Sequence, residues 1–264
     1  MTAPMLKVEQ VSLRLGRFPV LIDVDFSVGA GSCTGVVGPN GAGKTTLLDC
    51  ITAHRRPGSG RILIDGAPVH RLRPAAVVAL GVARTFQNVE QFKLLTVKQL
   101  ALIGRHQRYR TSTVSAALAL PRSRREEREH ERLVMDILAD LRIADFADEP
   151  MRSLPYSVRK VADLARALAA RPRLILLDEP TAGMGPEERE HLHGLLGQLR
   201  RSYLETVVLV DHDVEFVRGL CERLVVMDAG LVIGAGETTA TLAEPAVAAA
   251  YLGIHGEQAD ETAP

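Results

Sequence analysis

The sequence has 264 residues, enough to bury the core of one α/β domain with an inserted subdomain. Its 32 lysine and arginine residues balance 32 aspartate and glutamate residues, which excludes a general electrostatic attraction to nucleic acid and leaves only a local basic patch open. No apolar run approaches the roughly 20 residues that cross a bilayer, and residues 1–10 lack the pattern of a secretion signal. We therefore expect a cytoplasmic chain that reaches a membrane only through a partner.

The three cysteines are Cys33, Cys50 and Cys221. They are widely spaced, odd in number and form no CxxC pair. This distribution is typical of buried or incidental thiols in a reducing compartment.

The first part of the chain is predicted to be mainly β-structure around a glycine-rich turn. Two segments with alternating apolar residues indicate an antiparallel edge sheet. A short apolar strand then leads into the glycine-rich turn and a helix, and a further turn precedes a hairpin strand. In chain order, the predicted elements are strands at 6–15, 21–28 and 33–37, a helix at about 44–53, and a strand at 61–66.

The middle of the chain, residues 94–170, has a largely helical pattern. One long polar helix is predicted at 122–141, and its alternating charges at 124–132 indicate a solvated face. Apolar strands return at 174–177, 207–210 and 224–227, which predicts a parallel α/β sheet interrupted by a helical insertion. The polar, acidic end at 253–264 is predicted to be disordered.

A phosphate-binding loop is the firmest functional prediction. Residues 38–45 satisfy the pattern GxxxxGK[ST] between a predicted strand and a predicted helix. The glycines let backbone N–H groups turn towards a polyphosphate, Lys44 reaches the β- and γ-phosphates, and the Thr45 hydroxyl can bind Mg²⁺. The predicted nucleotide-binding residues of this loop are Gly38, Pro39, Asn40, Gly41, Ala42, Gly43, Lys44, Thr45 and Thr46.

A second predicted site lies where the apolar run at 174–177 ends in Asp178 and Glu179. A buried strand that delivers Asp178 suits the carboxylate that holds Mg²⁺ in P-loop ATPases. Glu179 would then polarise the attacking water. Without the P-loop upstream, an ordinary strand terminus would be the better interpretation.

Two polar residues are weaker candidates, each of which would by itself pass for a structural residue. Gln87 could contact Mg²⁺ or the lytic water, and His212, after the strand at 207–210, could contact the γ-phosphate. Their assignment depends on the order in which the motifs follow one another along the chain.

That order closely resembles the ATP-binding subunits of ABC transporters, with a helical insertion between Gln87 and the acidic strand. The resemblance extends over residues 6–253. Within that family, four segments are similar to the ATPase subunits of branched-chain amino-acid importers. These segments lie at 81–89, 154–156, 181–187 and 245–253.

The resemblance implies a fold and a division of the chain. The fold is α/β, a P-loop ABC nucleotide-binding domain with an antiparallel edge sheet and an inserted helical subdomain. We expect a single ABC ATPase domain over residues 1–264. Its parts are a P-loop core with the edge sheet at 1–88 and 171–235, the helical subdomain at 89–170, and a C-terminal helix and tail at 236–264.

The resemblance also implies an activity and its partners. The chain would hydrolyse ATP to power an ABC importer of branched-chain amino acids or similar small polar solutes. ATP and Mg²⁺ are the cofactors, with Mg²⁺ held by Thr45, Asp178 and Gln87, and with catalysis by Glu179, His212, Lys44 and Gln87. A second ATPase subunit would form a head-to-tail dimer with the chain. Integral-membrane permease subunits would contact it near Gln87 and the helical insertion, and an extracytoplasmic solute-binding protein would act indirectly. The chain would lie on the inner face of the cell membrane and have no nucleic-acid partner.

Two other functions remain open at this stage. A soluble ABC ATPase could act as a nucleotide-dependent switch in translation or DNA maintenance, although the zero net charge and the lack of a basic arm oppose it. A binding-only protein without turnover is opposed by Glu179 and His212.

The segment 154–158 departs from the family pattern Leu-Ser-Gly-Gly-Gln. Pro155 has neither a hydroxyl nor an N–H for the γ-phosphate of the opposite subunit, while Ser157, in place of a glycine, could act as a donor and as the helix N-cap. If the partner is a different ATPase subunit, the two nucleotide sites would be asymmetric, and this chain's own hydrolytic groups would work normally. Alternatively, Ser157 is harmless and both sites work.

Two smaller departures concern the adenine and the dimer interface. The position of the adenine-stacking aromatic residue is held by Leu15, with Phe18 as a stand-in. Gly185 takes a position usually held by Asp or Asn that contacts the opposite subunit.

Overall fold

The computed structural model describes residues 4–109, 121–200 and 202–250, and the predicted disordered tail lies outside these residues. Among the described helices, none combines the length and the apolar composition needed to cross a membrane. The chain divides into two compact units. Unit 1 contains Met1–Leu80 and Glu205–Pro264, and unit 2 contains Gly81–Leu204.

Unit 1 contains a four-stranded antiparallel sheet. In chain order its strands are β1 (Pro4–Leu15), β2 (Phe18–Gly29), β4 (Ser59–Ile64) and β5 (Ala67–Pro68), and they lie in the order β2-β1-β4-β5. Leu6 of β1 lies opposite Val28 of β2 on one side and Ile64 of β4 on the other, and all three side chains are buried. Alternation of apolar and polar residues puts one face of this sheet in the core, as the sequence predicts.

The remaining strands of unit 1 include the predicted parallel ones. β3 (Cys33–Val37) pairs in parallel with β8 (Thr206–Val210) on one side and with β9 (Arg223–Asp228) on the other. β10 (Leu231–Glu237) adds to β9 in the antiparallel direction. Every residue of β3 and β8 is buried, in agreement with the largely apolar composition of these strands.

Among the residues that the structure describes, unit 1 contains four α-helices. They are α1 at Lys44–Ile51, α2 at Pro74–Ala79, α7 at Val214–Leu220 and α8 at Thr238–Leu242. The predicted helix after the glycine-rich turn is α1, whereas the sequence analysis placed no element at α2 or at α7.

Unit 2 combines two short parallel strands with four α-helices within the described residues. β6 (Val82–Arg84) pairs with β7 (Leu174–Asp178) in parallel, with Arg84 opposite Leu176. The predicted long polar helix is confirmed as α4, Pro121–Asp140. The other helices are α3 at Val97–Ile103, α5 at Tyr156–Ala169 and α6 at Pro186–Leu199. The predicted subdomain boundaries at 89 and 170 do not coincide with those of unit 2, and that division stays a prediction.

The three cysteines are free and buried, in agreement with the sequence. The sulfur atoms of Cys33 and Cys221 lie 3.1 Å apart in unit 1. Burial raises the pKa of the Cys50 thiol to about 11, so this thiol stays protonated and unreactive at neutral pH.

Candidate nucleotide-binding site

The loop between β3 and α1 has a backbone that only glycine fits without strain. Gly38, Gly41 and Gly43 have φ values of 155°, 83° and 99°. A Cβ atom on Gly38 would lie 2.1 Å from the carbonyl oxygen of Met227, and one on Gly43 would lie 2.7 Å from that of Val20. Both the turn and the close approach of neighbouring backbone therefore require glycine.

Lys44 is buried inside this loop. Its Nζ donates to the carbonyl oxygen atoms of Gly38 at 2.7 Å and Pro39 at 2.9 Å. Thr45 and Thr46 follow in the first turn of α1 and are half-buried. No acidic side chain lies in that first turn, so the positive end of the helix dipole is available to an anion.

His212 follows β8, and Asp211 fixes the turn in which it lies. The buried Oδ1 of Asp211 accepts hydrogen bonds from the backbone N–H groups of His212 at 2.8 Å and Asp213 at 3.1 Å. The same oxygen lies 3.5 Å from Nδ1 of His212, whose side chain is half-exposed. The sequence analysis missed Asp211, although an acid between an apolar strand and a candidate histidine is a usable signal for an orienting residue.

Asp178 ends β7 as predicted and is fully buried. Its Oδ2 accepts a hydrogen bond from Nη2 of Arg84 at 2.7 Å, and its backbone N–H donates to the Thr85 hydroxyl at 3.0 Å. Burial raises the pKa of the Asp178 carboxyl, and the Arg84 guanidinium opposes that rise. Oδ1 is buried without a hydrogen-bond partner, which suits an oxygen atom that serves a Mg²⁺ ion.

Glu179 and Gln87 come together in unit 2, as the order of motifs requires. Nε2 of Gln87 donates to Oε2 of Glu179 at 2.9 Å. Glu179 itself has a φ of 45°, in the left-handed region that non-glycine residues rarely adopt. Such strain is concentrated at functional positions, where the surrounding contacts maintain it.

Helix α5 supplies charged residues to this site that the sequence analysis missed. The buried Asp163 accepts hydrogen bonds from the backbone N–H of Phe86 and from Nε of Arg166, both at 2.6 Å. Nη2 of Arg166 also donates to the carbonyl of Arg84 at 2.7 Å. Charges three residues apart on an otherwise apolar helix face were the available signal.

The altered segment at 154–158 forms the start of α5. Pro155 is the N-cap residue and offers no side-chain cap, so the expectation that Ser157 caps this helix is wrong, because Ser157 lies inside the first turn. The Ser157 hydroxyl forms a hydrogen bond with Glu188, which lowers the pKa of that carboxyl, as does the Gly185 N–H at 2.9 Å. The serine hydroxyl of this segment therefore already has a partner in its own unit.

Comparisons with known proteins assign the family. A family model described as ABC transporter matches residues 21–182. The chain belongs to the ABC transporter family. The high-affinity branched-chain amino acid transport ATP-binding protein BraF of Pseudomonas aeruginosa is 33% identical over 253 residues, which cover 96% of this chain and 99% of BraF. LivG of Escherichia coli K12, with the same description, is 31% identical over 96% of this chain and 99% of its own length.

Solved structures of ABC cassettes have the same fold. A nucleotide-free ATP-binding cassette superposes with a TM-score of 0.80 at 26% identity and covers 94% of this chain and 99% of its own. A dimeric cassette in a post-hydrolysis state with ADP and phosphate bound gives 0.74 at 25% identity, covering 89% and 99%. The predicted ABC fold is confirmed, as is the prediction that this cassette is the ATP-binding, ATP-hydrolysing subunit of an ABC transporter.

Proposed function

We propose that this cassette powers the import of branched-chain amino acids or similar small polar solutes. The observation that carries the proposal is the similarity to BraF and LivG, which extends over 99% of both relatives. Both are described as branched-chain amino acid transport proteins. Two of the segments that resemble that subfamily lie at helix starts. The segment 154–156 leads into α5, and the segment 181–187 includes the loop before α6 and the first residues of that helix.

In the proposed mechanism, the glycine-rich loop and the first turn of α1 bind the phosphates of ATP through backbone N–H groups. Lys44 exchanges its carbonyl partners for the β- and γ-phosphate oxygen atoms. Thr45, Gln87 and Asp178 would hold Mg²⁺, and the ion would supply positive charge to the phosphates. The unpartnered Oδ1 of Asp178 supports its part in this assignment.

Glu179 orients and polarises the attacking water, and Gln87 holds the carboxylate in position through their 2.9 Å hydrogen bond. His212 contacts the γ-phosphate from a turn that Asp211 keeps rigid. ATP binding closes a head-to-tail pair of cassettes, and hydrolysis reopens it. We assign the cassette to the inner face of the cell membrane, where it contacts integral-membrane permease subunits and serves an extracytoplasmic solute-binding protein.

The test is capture of tagged Glu179→Gln protein from a detergent extract of native membranes in the presence of MgATP. Loss of the carboxylate should slow hydrolysis and so lengthen the lifetime of the closed pair of cassettes. We expect polytopic permease subunits and an ATPase subunit to copurify, and the permease to select a branched-chain amino acid in a transport assay. The Lys44→Ala, Glu179→Gln double variant, which binds ATP poorly, is the control and should recover much less. Recovery of ribosomes or of soluble proteins only would overturn the proposal.

A further inference from the structure

Lys160 is a buried cation in the second turn of α5, and only 7% of its surface is exposed. Its Nζ donates to the carbonyl oxygen of Gln87 at 3.0 Å and to that of Glu179 at 3.3 Å. The side chains of those two residues are hydrogen-bonded to each other. One ammonium group on a helix therefore holds the backbone of both members of a catalytic pair.

The two backbone positions that Lys160 holds need such a constraint. Glu179 follows the end of β7 and has a left-handed backbone conformation, so the direction of its carbonyl group depends on contacts from other parts of the unit. Gln87 is exposed and lies between β6 and a short 3₁₀ turn, outside regular secondary structure. Without an external contact, neither side chain would be fixed to the precision that water activation requires.

The helix that carries Lys160 is itself well fixed. One turn further along, Asp163 accepts the 2.6 Å hydrogen bond from the backbone of Phe86, next to Gln87. The Tyr156 ring lies 5.7 Å from the Lys160 ammonium. Tyr156 is the first residue of α5, in the segment 154–158 that aligns with the family signature. The position of this helix start is thus linked through Lys160 to Glu179.

We propose that Lys160 is a positioning residue for ATP hydrolysis, which aligns Glu179 and Gln87 with the start of α5. The inference rests on the proposed roles of those two residues. Lys160 does not touch the nucleotide in this scheme and acts only through the backbone of the pair. If Lys160 had only a structural role, its loss would lower the stability of the fold without a particular effect on Glu179 and Gln87.

The variant Lys160→Met keeps the length of the side chain and removes the charge and both hydrogen bonds. In a transporter reconstituted from the subunits that the capture identifies, with Glu179 intact, we expect kcat to fall about 10- to 100-fold while the MgATP dissociation constant changes less than about twofold. Lys160→Arg keeps a cation with several donors and should restore most of kcat. Equal activity of Lys160→Met and the unmodified protein would overturn the proposal.

The matched control is Arg108→Met. Arg108 also donates to two backbone carbonyls of unit 2, those of Ala170 at 3.1 Å and Arg171 at 3.2 Å, beyond the other end of α5. We expect this variant to keep its kcat. If both methionine variants lose kcat in proportion to their loss of melting temperature, Lys160 is structural only.

A second readout does not depend on transport or turnover. Hydrogen exchange of the purified chain should show faster exchange at 85–89 and 178–182 in Lys160→Met, with unchanged protection in the centre of α5. Unchanged exchange in both segments would refute the positioning role even if the transport assignment is correct. Faster exchange with no copurifying permease would leave the positioning role standing and reject the transport assignment.

Discussion

Leu15 and Phe18, on the first hairpin, are the two candidates for the residue that contacts the adenine ring. Leu15 and Phe18 are register partners at the end of β1 and the start of β2. The Phe18 side chain is 76% exposed, whereas Leu15 is 39% exposed. An aromatic ring left so open has no packing role in unit 1 and presents a flat face to a ligand.

We expect Phe18→Ala to weaken ATP binding by about 1–3 kcal/mol, the usual contribution of an aromatic ring stacked on a base. Leu15→Ala should cost less, because an aliphatic side chain offers no stacking face. Equilibrium titration with ATP measures both, and urea unfolding should show little change for Phe18→Ala because the ring is exposed. A larger loss for Leu15→Ala would show that the adenine lies on the leucine.

At the scale of elements, the glycine-rich loop is shaped by both backbone strain and crowding. Gly41 and Gly43 have positive φ values of 83° and 99°. A Cβ on Gly41 would have nothing within 4 Å, whereas one on Gly43 would overlap the Val20 carbonyl and lie 2.9 Å from the Leu21 side chain. This difference allows strain and overlap to be measured separately.

Both Gly41→Ala and Gly43→Ala should lose about 1 kcal/mol of unfolding free energy from the left-handed backbone alone. Gly43→Ala should lose at least about 1 kcal/mol more, because its methyl group collides with β2 and the backbone carbonyl cannot move away without breaking sheet pairing. Urea unfolding of the two variants gives the comparison. Equal losses would mean that the loop shifts to relieve the overlap at no cost.

The elements that the sequence predicts correctly are those with local signals. Alternation defines β1 and β2, an unbroken apolar run defines β7, and the glycine motif defines the start of α1. The sequence analysis placed no strand at β10, because its Gly-Ala-Gly stretch lacks β-propensity and gains order only by pairing with β9.

The missed site residues share a different cause. Arg84 is hydrogen-bonded to Asp178 although 94 positions separate them along the chain, and Lys160 is hydrogen-bonded to Gln87 across a separation of 73 positions. A charged side chain in a helical pattern predicts a solvated face by default. Only the fold shows that these charges are turned inwards against backbone carbonyls and a buried carboxylate. The order of motifs could predict Gln87 and Glu179 as candidate catalytic residues, but not the residues that hold their backbone in place.

At the scale of the whole molecule, the cassette contains all the groups proposed for hydrolysis but has an altered signature segment. Lys44, Asp178, Glu179 and His212 are all present. The start of α5 offers Pro155, which has no donor, and Ser157, whose hydroxyl forms a hydrogen bond with Glu188. In the proposed head-to-tail pair, these two parts serve different nucleotides, so we expect a pair with a different ATPase subunit to have one strong and one weak site.

We therefore expect Lys44→Ala in this cassette to abolish most of the ATPase activity of the assembled transporter, because it destroys the strong site. The equivalent P-loop lysine substitution in the companion subunit should leave turnover within about threefold of the unmodified level, since the segment facing that site has Pro155 in place of the serine of the family pattern. Combining Pro155→Ser with Ser157→Gly in this cassette supplies a hydroxyl and reopens the approach to the backbone N–H groups. That double variant should make the companion's lysine newly important for turnover. Equal loss from the two lysine substitutions before this repair would show that the altered segment grips the γ-phosphate as it stands.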